Sequence, residues 1–222
     1  MDIAAIIPMK GRSERVPDKN LRLFNGKPLF CWIINELREC VDNIYVDTDC
    51  DEIINAVKEY FNQIRFITRP DYLKGDAISM NRIIEYDLTQ IDNRYFIQTH
   101  STSPLLTRNT IKSAIQTFFD LLGEHDSLFS VTPIKARCFT SDGAPINHKP
   151  DELIQTQYLK PVYVENSGFY LFSRESFLRT SRRIGEKPYL FLIDQYEAID
   201  IDDENDFAAA EVLGAARKGK GI

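Results

Sequence analysis

"AAIIPMKGRSERVPDKNLRLFNGKPL", residues 4–29, decides how the chain is read. An apolar run ends at Pro8. Lys10, Arg12, Arg15, Lys19 and Arg22 then follow within thirteen residues, opposed only by Glu14 and Asp18. The run reads as a buried strand over 2–8, and the cations as the loop after it. Beyond that loop, "PLFCWIINELREC" (28–40) has Leu29, Trp32 (or Ile33), Leu37 and Cys40 at helical spacing, with Pro28 at its first position. A strand, a loop and a helix in this order are the opening unit of an α/β sheet.

The unit repeats along the chain. Strands are expected at 43–49, 64–70, 94–100 and 127–133, and helices at 50–61, 77–88 and from Thr107, which caps "TRNTIKSAIQTFFDLL". Asp51 and Glu52 suit the first turn of the second helix. The alternation predicts a three-layer, Rossmann-like α/β fold: a mostly parallel sheet with helices on both faces. After Pro133 the rhythm breaks. Residues 134–165 hold Gly143, Pro145, Pro150 and Pro161 and show little periodicity, so they read as an irregular or β excursion: a flap, a lid or a dimerisation arm. A strand resumes at 168–173. "EAIDIDDENDFAAAEVLGAARKG" reads as a short strand running into a helix capped by Asp203 or Asp202, and 217–222 as a frayed basic tail. One domain, 1–222, is expected.

Composition narrows the function. The chain has 222 residues, 43% of them hydrophobic and 27% charged, and a formal net charge of −6. That acidic balance argues against nucleic-acid binding, so the local cations point to a small anion. No run of eighteen or more apolar residues occurs, and the N-terminus lacks the order of a signal peptide; no membrane association is expected. Cys31, Cys40, Cys50 and Cys138 form no C-x-x-C pair, which speaks against a zinc ribbon and for a reducing, cytoplasmic compartment.

Three constellations carry chemistry. The first is the opening loop, at a strand's carboxyl end where ligands bind in such sheets. Gly11 permits close backbone approach, while Lys10, Arg12, Arg15 and Lys19 suit a triphosphate, although the glycine spacing is not that of a P-loop. A solvated loop with Glu14–Arg15 and Asp18–Lys19 pairs is the alternative. The second is "IDIDDENDF" (199–207). In a strand, Asp200 and Asp202 share one side and Ile199 and Ile201 the other. Paired carboxylates repel unless a cation lies between them, and Mg²⁺ suits such oxygens; acids dressing a helix N-terminus are the alternative. The third is "QTHSTSPLL" (98–106), where Gln98, His100, Ser101, Thr102 and Ser103 could read a base edge or a sugar, or form a polar turn.

Together "IIPMKGRSERVPDKNL", "NGKPL", "TDCDEI", "RPDYLKGD", "STSPLL", "ENSGFYLF" and "IDIDDENDF" resemble, in order and over nearly the whole chain, the acylneuraminate (CMP-sialic acid synthetase-like) cytidylyltransferases. The resemblance implies a homodimeric enzyme that moves CMP from CTP to the anomeric hydroxyl of an acidic 2-keto sugar and releases pyrophosphate. It also implies that Lys10, Arg12 and Lys19 act on the phosphates, that Asn20 contacts the cytidine side, and that Arg69 is the arginine of an "RP" motif. Asp200 and Asp202 match metal-binding aspartates for Mg²⁺, and Asn166 an asparagine near the sugar. An octulosonate or other sugar acid, or a nucleotide-binding module without turnover, are the alternatives. Three departures stand out. Lys10 replaces a usual arginine, "H-S-T-S-P" replaces "Q-P-T-S-P" so that His100 replaces a base-reading glutamine or Gln98 takes over that role, and Glu165 adds an acid beside Asn166. Arg182 and Arg183 are candidate counter-cations for a substrate carboxylate, with a plain surface position as the alternative.

Overall fold

A computed structural model describes residues 2–75 and 77–220, with the side chains of 217–220 left out. Its core strand, β1 (Ile3–Met9), is buried along its entire length. Fully burying an Ile6 or Ile7 side chain is worth about 1.5–3 kcal/mol each. Such a run belongs at the centre of a parallel sheet covered on both faces.

After β1 and the basic loop, a small hairpin pairs β2 (Leu23–Phe24) with β3 (Lys27–Pro28). Its turn is Asn25-Gly26, with φ of 47° and 87°, the left-handed pair that a tight hairpin turn demands. Next come α1 (Phe30–Leu37), β4 (Asn43–Thr48), α2 (Asp51–Tyr60), β5 (Arg65–Thr68), α3 (Met80–Gln90) and β6 (Tyr95–Thr99). Then follow α4 (Arg108–Asp120), β7 (Ser127–Ile134), β8 (Val162–Ser173), α5 (Arg174–Thr180), β9 (Pro188–Leu192) and α6 (Glu204–Lys220). Thr107 caps α4 as expected, its side chain accepting from the Thr110 amide.

Seven strands form the main sheet in the order β5-β4-β1-β6-β8-β7-β9. β1 runs parallel to β4 and β6, and β7 parallel to β9; β8 is antiparallel to both its neighbours. Helices cover both faces. α1, α2 and α4 pack on one core cluster, whereas α3 and α5 pack on the other. α6 closes a third cluster, in which Phe207 and Ala210 meet Val16, Phe24 and Ile201. The chain builds one side of β1 first and then crosses to β6 on the other. The strand order therefore switches between β1 and β6, and a crevice opens at their carboxyl ends.

Several expectations are corrected. No strand forms at 199–202; Ile201 is tied to the sheet's end by its amide, which donates to the Thr102 carbonyl oxygen at 2.9 Å. Asp200 and Asp202 are thus held on an irregular segment anchored through Ile201 between them. β8 begins at Val162, so the irregular segment spans 135–161, with one isolated bridge between Phe139 and Pro145. β9 and α5 were not expected. The tail expected to fray is helical in backbone to Lys220, and its last two residues lie outside the described ones. No helix among the described residues is long and apolar enough to cross a membrane.

Candidate active site

A cavity of about 430 Å³ occupies the crevice beyond β1 and β6. From the basic loop it is lined by Lys10, Arg15, Lys19 and Asn20, and from the segment before α6 by Asp200 and Asp202. Arg69, His100 and Ser101 complete its polar wall, with Met80 and Ile83 of α3 as an apolar one.

Both chain ends meet here. Lys19 Nζ donates to the Ile201 carbonyl oxygen at 2.6 Å, which sets the ammonium between the two flanking aspartates. Arg15 donates to Asp202 Oδ1 at 2.6 Å rather than pairing with its neighbour Glu14. Half of each of these two side chains is exposed, so that pair contributes little to stability. Asn20 is buried and bridges two loops: its Nδ2 donates to the Lys10 carbonyl oxygen at 2.9 Å, and its Oδ1 accepts from Ser101 at 2.5 Å. Gly11 is fixed by sterics as well as by bonding. Its amide donates to Asp49 Oδ1 at 2.7 Å, and a Cβ there would lie 2.5 Å from Cys50 Cβ.

The electrostatics follow from burial. Burial pushes the Lys19 ammonium below its ordinary pKa, against the pull of Asp200 and Asp202. Burial pushes Asp200 up, assisted by the carboxylates of Asp202 and Asp206, while a Thr102 hydrogen bond and Lys19 oppose. Its Oδ1 is buried with no hydrogen-bond partner among the described residues. Burial, with Arg183 and Lys19 nearby, lowers the His100 imidazole to about 3. Arg69 forms a buried ion pair with Asp47 of β4, its Nη2 2.5 Å from Oδ2. Asp87 on α3 lies near that pair, with neither carboxyl oxygen partnered among the described residues.

Four of the candidate site residues, Gly11 among them, do not line this cavity. Arg12 faces an adjoining hollow of about 960 Å³ on the other side of the basic loop, with Pro17, Asp18 and Asp49. Gln98 is fully buried behind His100. Asn166 lies at a bulge where β7 and β8 lose register between Phe129 and Val131. There Ser130 Oγ donates to Asn166 Oδ1 at 2.6 Å and accepts from the Phe169 amide at 3.0 Å, while Asn166 Nδ2 stays buried with no partner among the described residues. Asp47 and Asp87 escaped the sequence reading. Asp47 is an acid inside an apolar strand. Asp87 falls in the inward stripe of α3 with Ile83, Ile84 and Leu88, and either signal would have flagged a buried charge. Asp76, the end of the quoted "RPDYLKGD", lies outside the described residues.

A cationic loop facing paired carboxylates across one crevice is an arrangement for a polyphosphate and its counter-ion. A family profile described as Cytidylyltransferase matches residues 4–210, and the chain belongs to that family. Among its relatives, CMP-N,N'-diacetyllegionaminic acid synthase of Legionella pneumophila is 28% identical over 227 residues, which cover 96% of each chain. Pseudaminic acid cytidylyltransferase of Campylobacter jejuni is 26% identical over 223 residues, 94% of each chain. The fold is shared with CMP:2-keto-3-deoxy-manno-octonic acid synthetase, solved in complex with CTP. The TM-score is 0.72 at 16% identity, over 97% of this chain and 99% of that one.

Proposed function

We propose that the protein transfers CMP from CTP to the anomeric hydroxyl of an acidic 2-keto sugar of the sialic-acid type and releases pyrophosphate. The observation that carries the reading is the Lys19 contact to Ile201, which draws the basic loop and the Asp200/Asp202 pair to one ligand. The names and full-length coverage of the legionaminic and pseudaminic acid relatives support the sugar class.

In this reading Lys10 and Lys19 neutralise the triphosphate in the cavity, Arg12 serves any part of it that extends into the adjoining hollow, and Gly11 lets the loop pack against Cys50. Asn20, Arg69 and Ser101 hold the nucleoside side. His100, backed by Gln98, lines the cavity and meets the substrate there, whereas Asn166 reaches the acceptor only from the bulge behind the wall. The sugar hydroxyl oxygen bonds to the α-phosphorus as the bond to the β-phosphate breaks. Catalysis is chiefly positioning and charge neutralisation.

The donor set fits Mg²⁺. Asp200 offers a buried carboxyl oxygen without a partner, and Asp202 an exposed carboxylate whose Arg15 contact is exchangeable. Among the described residues no group of three or more His, Cys, Asp or Glu gathers for a metal, so phosphate oxygens and water would complete the shell. The ion would stabilise charge on the reacting phosphoryl group and acidify the attacking hydroxyl.

The dimer and the location belong to the same proposal. Phe139, Ile146, Leu153 and Tyr158 expose apolar side chains on 135–161, as do Leu190 and Leu192 on the edge strand β9, a surface suited to a second copy of this chain. The four thiols are unpaired, which suits the cytoplasm.

The test is incubation with CTP, Mg²⁺ and a panel of sialic, legionaminic, pseudaminic and octulosonic acids, following pyrophosphate and the product mass. A CMP-sugar from one of them is expected, and its loss with chelator. CTP-dependent thermal stabilisation without any CMP adduct would overturn the transfer and favour a binding module.

A further inference from the structure

Behind His100 a line of side chains leads away from the cavity, and its hydrogen-bond polarity is fixed at both ends. Gln98 Oε1 accepts from Arg183 Nη1 at 2.6 Å. Its Nε2 lies 3.0 Å from the Thr99 carbonyl oxygen and 3.1 Å from His100 Nε2. A guanidinium only donates and a carbonyl only accepts. Together they permit one orientation of the Gln98 amide, with oxygen toward Arg183 and the NH₂ group toward Thr99 and His100. One N–H meets the Thr99 carbonyl, and the other meets His100 Nε2. That ring nitrogen must accept, so the imidazole proton resides on Nδ1.

Arg183 is well placed to impose this. Its guanidinium carbon lies 3.5 Å from the centre of the Tyr170 ring, and its backbone amide donates to Asn81 Oδ1 at 3.2 Å. Its acidic neighbour, Glu165, is 3.8 Å away, beyond hydrogen-bond reach. Arg182 is exposed and takes no part. His100 makes no hydrogen bond through Nδ1 among the described residues, and it lines the cavity.

We propose that His100 presents its Nδ1–H to an acceptor oxygen of the substrate, and that Arg183, acting through Gln98, is the positioning residue that fixes this polarity. The substrate half of the inference rests on the proposed transfer; the relay is a property of the protein alone. A fixed donor admits a carboxylate, carbonyl or hydroxyl oxygen and rejects a donor group at the same place. Protonating the ring would set its new N–H against that of Gln98, and Arg183 and Lys19, the charged groups facing it, oppose a further cation.

Nitrogen-15-labelled histidine tests this in the full chain, where the three histidines are separable and His100→Gln assigns the signal. A two-bond proton–nitrogen spectrum is expected to show His100 in the Nδ1–H form. Gln98→Glu offers only acceptor oxygens to the ring and is expected to convert it to Nε2–H. Arg183→Leu is expected to mix the two forms, and Arg183→Lys to restore the single one. His100→Phe and Gln98→Glu should each lower kcat/KM roughly tenfold or more, as for one lost hydrogen bond. A wild-type Nε2–H form, or a Gln98→Glu spectrum unchanged from wild type, overturns the relay. Unaltered kcat/KM in His100→Phe overturns the donor role. The expected spectrum with no CMP transfer to any sugar acid would strike the proposed reaction and leave the relay standing.

Discussion

Replacing Asp87 with asparagine is expected to stabilise the protein at neutral pH. Asp87 is fully buried on α3, and neither carboxyl oxygen has a hydrogen-bond partner among the described residues. Burial, and secondarily the Asp47 carboxylate, raise its pKa from 3.8 to about 9, with Arg69 opposing. The folded state therefore holds a proton that the unfolded chain releases above pH 4. An acid with a raised folded pKa stabilises nothing as pH climbs; stability falls between about pH 4 and pH 9. At pH 7 the loss is about 4 kcal/mol, from roughly three pH units at about 1.4 kcal/mol each. Asparagine removes that pH dependence while leaving buried amide donors unsatisfied, at about 1–3 kcal/mol. The net gain is about 1–3 kcal/mol at pH 7, a rise of several degrees in Tm for a chain of this size. Urea melts of both proteins from pH 4 to pH 9 measure it. The variant should lie below the wild type near pH 4, cross it as pH rises, and lie increasingly above it from neutral pH to pH 9. Parallel curves, or a variant less stable at pH 8, would refute the reasoning.

Removing the other acid of this cluster acts in the opposite sense. Asp47→Asn leaves the buried Arg69 charge uncompensated and should cost about 3–5 kcal/mol by denaturant melt. Lys19→Met removes a cation that faces the developing charge and should lower kcat about a hundredfold or more, in the assay for pyrophosphate release. Gly11→Ala drives a methyl into Cys50; weakened CTP-dependent thermal stabilisation is expected, and the double variant with Cys50→Gly should recover it.

The alternation of apolar runs and helical stripes made the sheet legible, because a strand covered on both faces must be apolar throughout, as β1 is. The same logic failed at β9, where Leu190 and Leu192 are exposed on an edge strand and give no buried pattern. It failed again at 199–202, where alternation of Ile and Asp mimics a strand. Ile201 is buried and Asp202 exposed there by tertiary contact alone, since period two describes facing and says nothing of a pairing partner. The basic loop and the aspartate pair are each legible as chemistry in the sequence; their meeting is not. The Arg15–Asp202 bond joins residues 187 apart in sequence, a proximity that no local pattern encodes.

The reversed direction of β8 has a consequence of its own. Four parallel strands offer the crevice only their carboxyl ends, whereas β8 enters from the opposite side and presents what precedes it. The 135–161 segment is therefore delivered to the rim beside Glu165 and Asn166 while its insertion point stays clear of the buried sheet. Changes in that segment's length or sequence would reshape the rim beside Glu165 and Asn166 while the loop that follows β1 is left as it was.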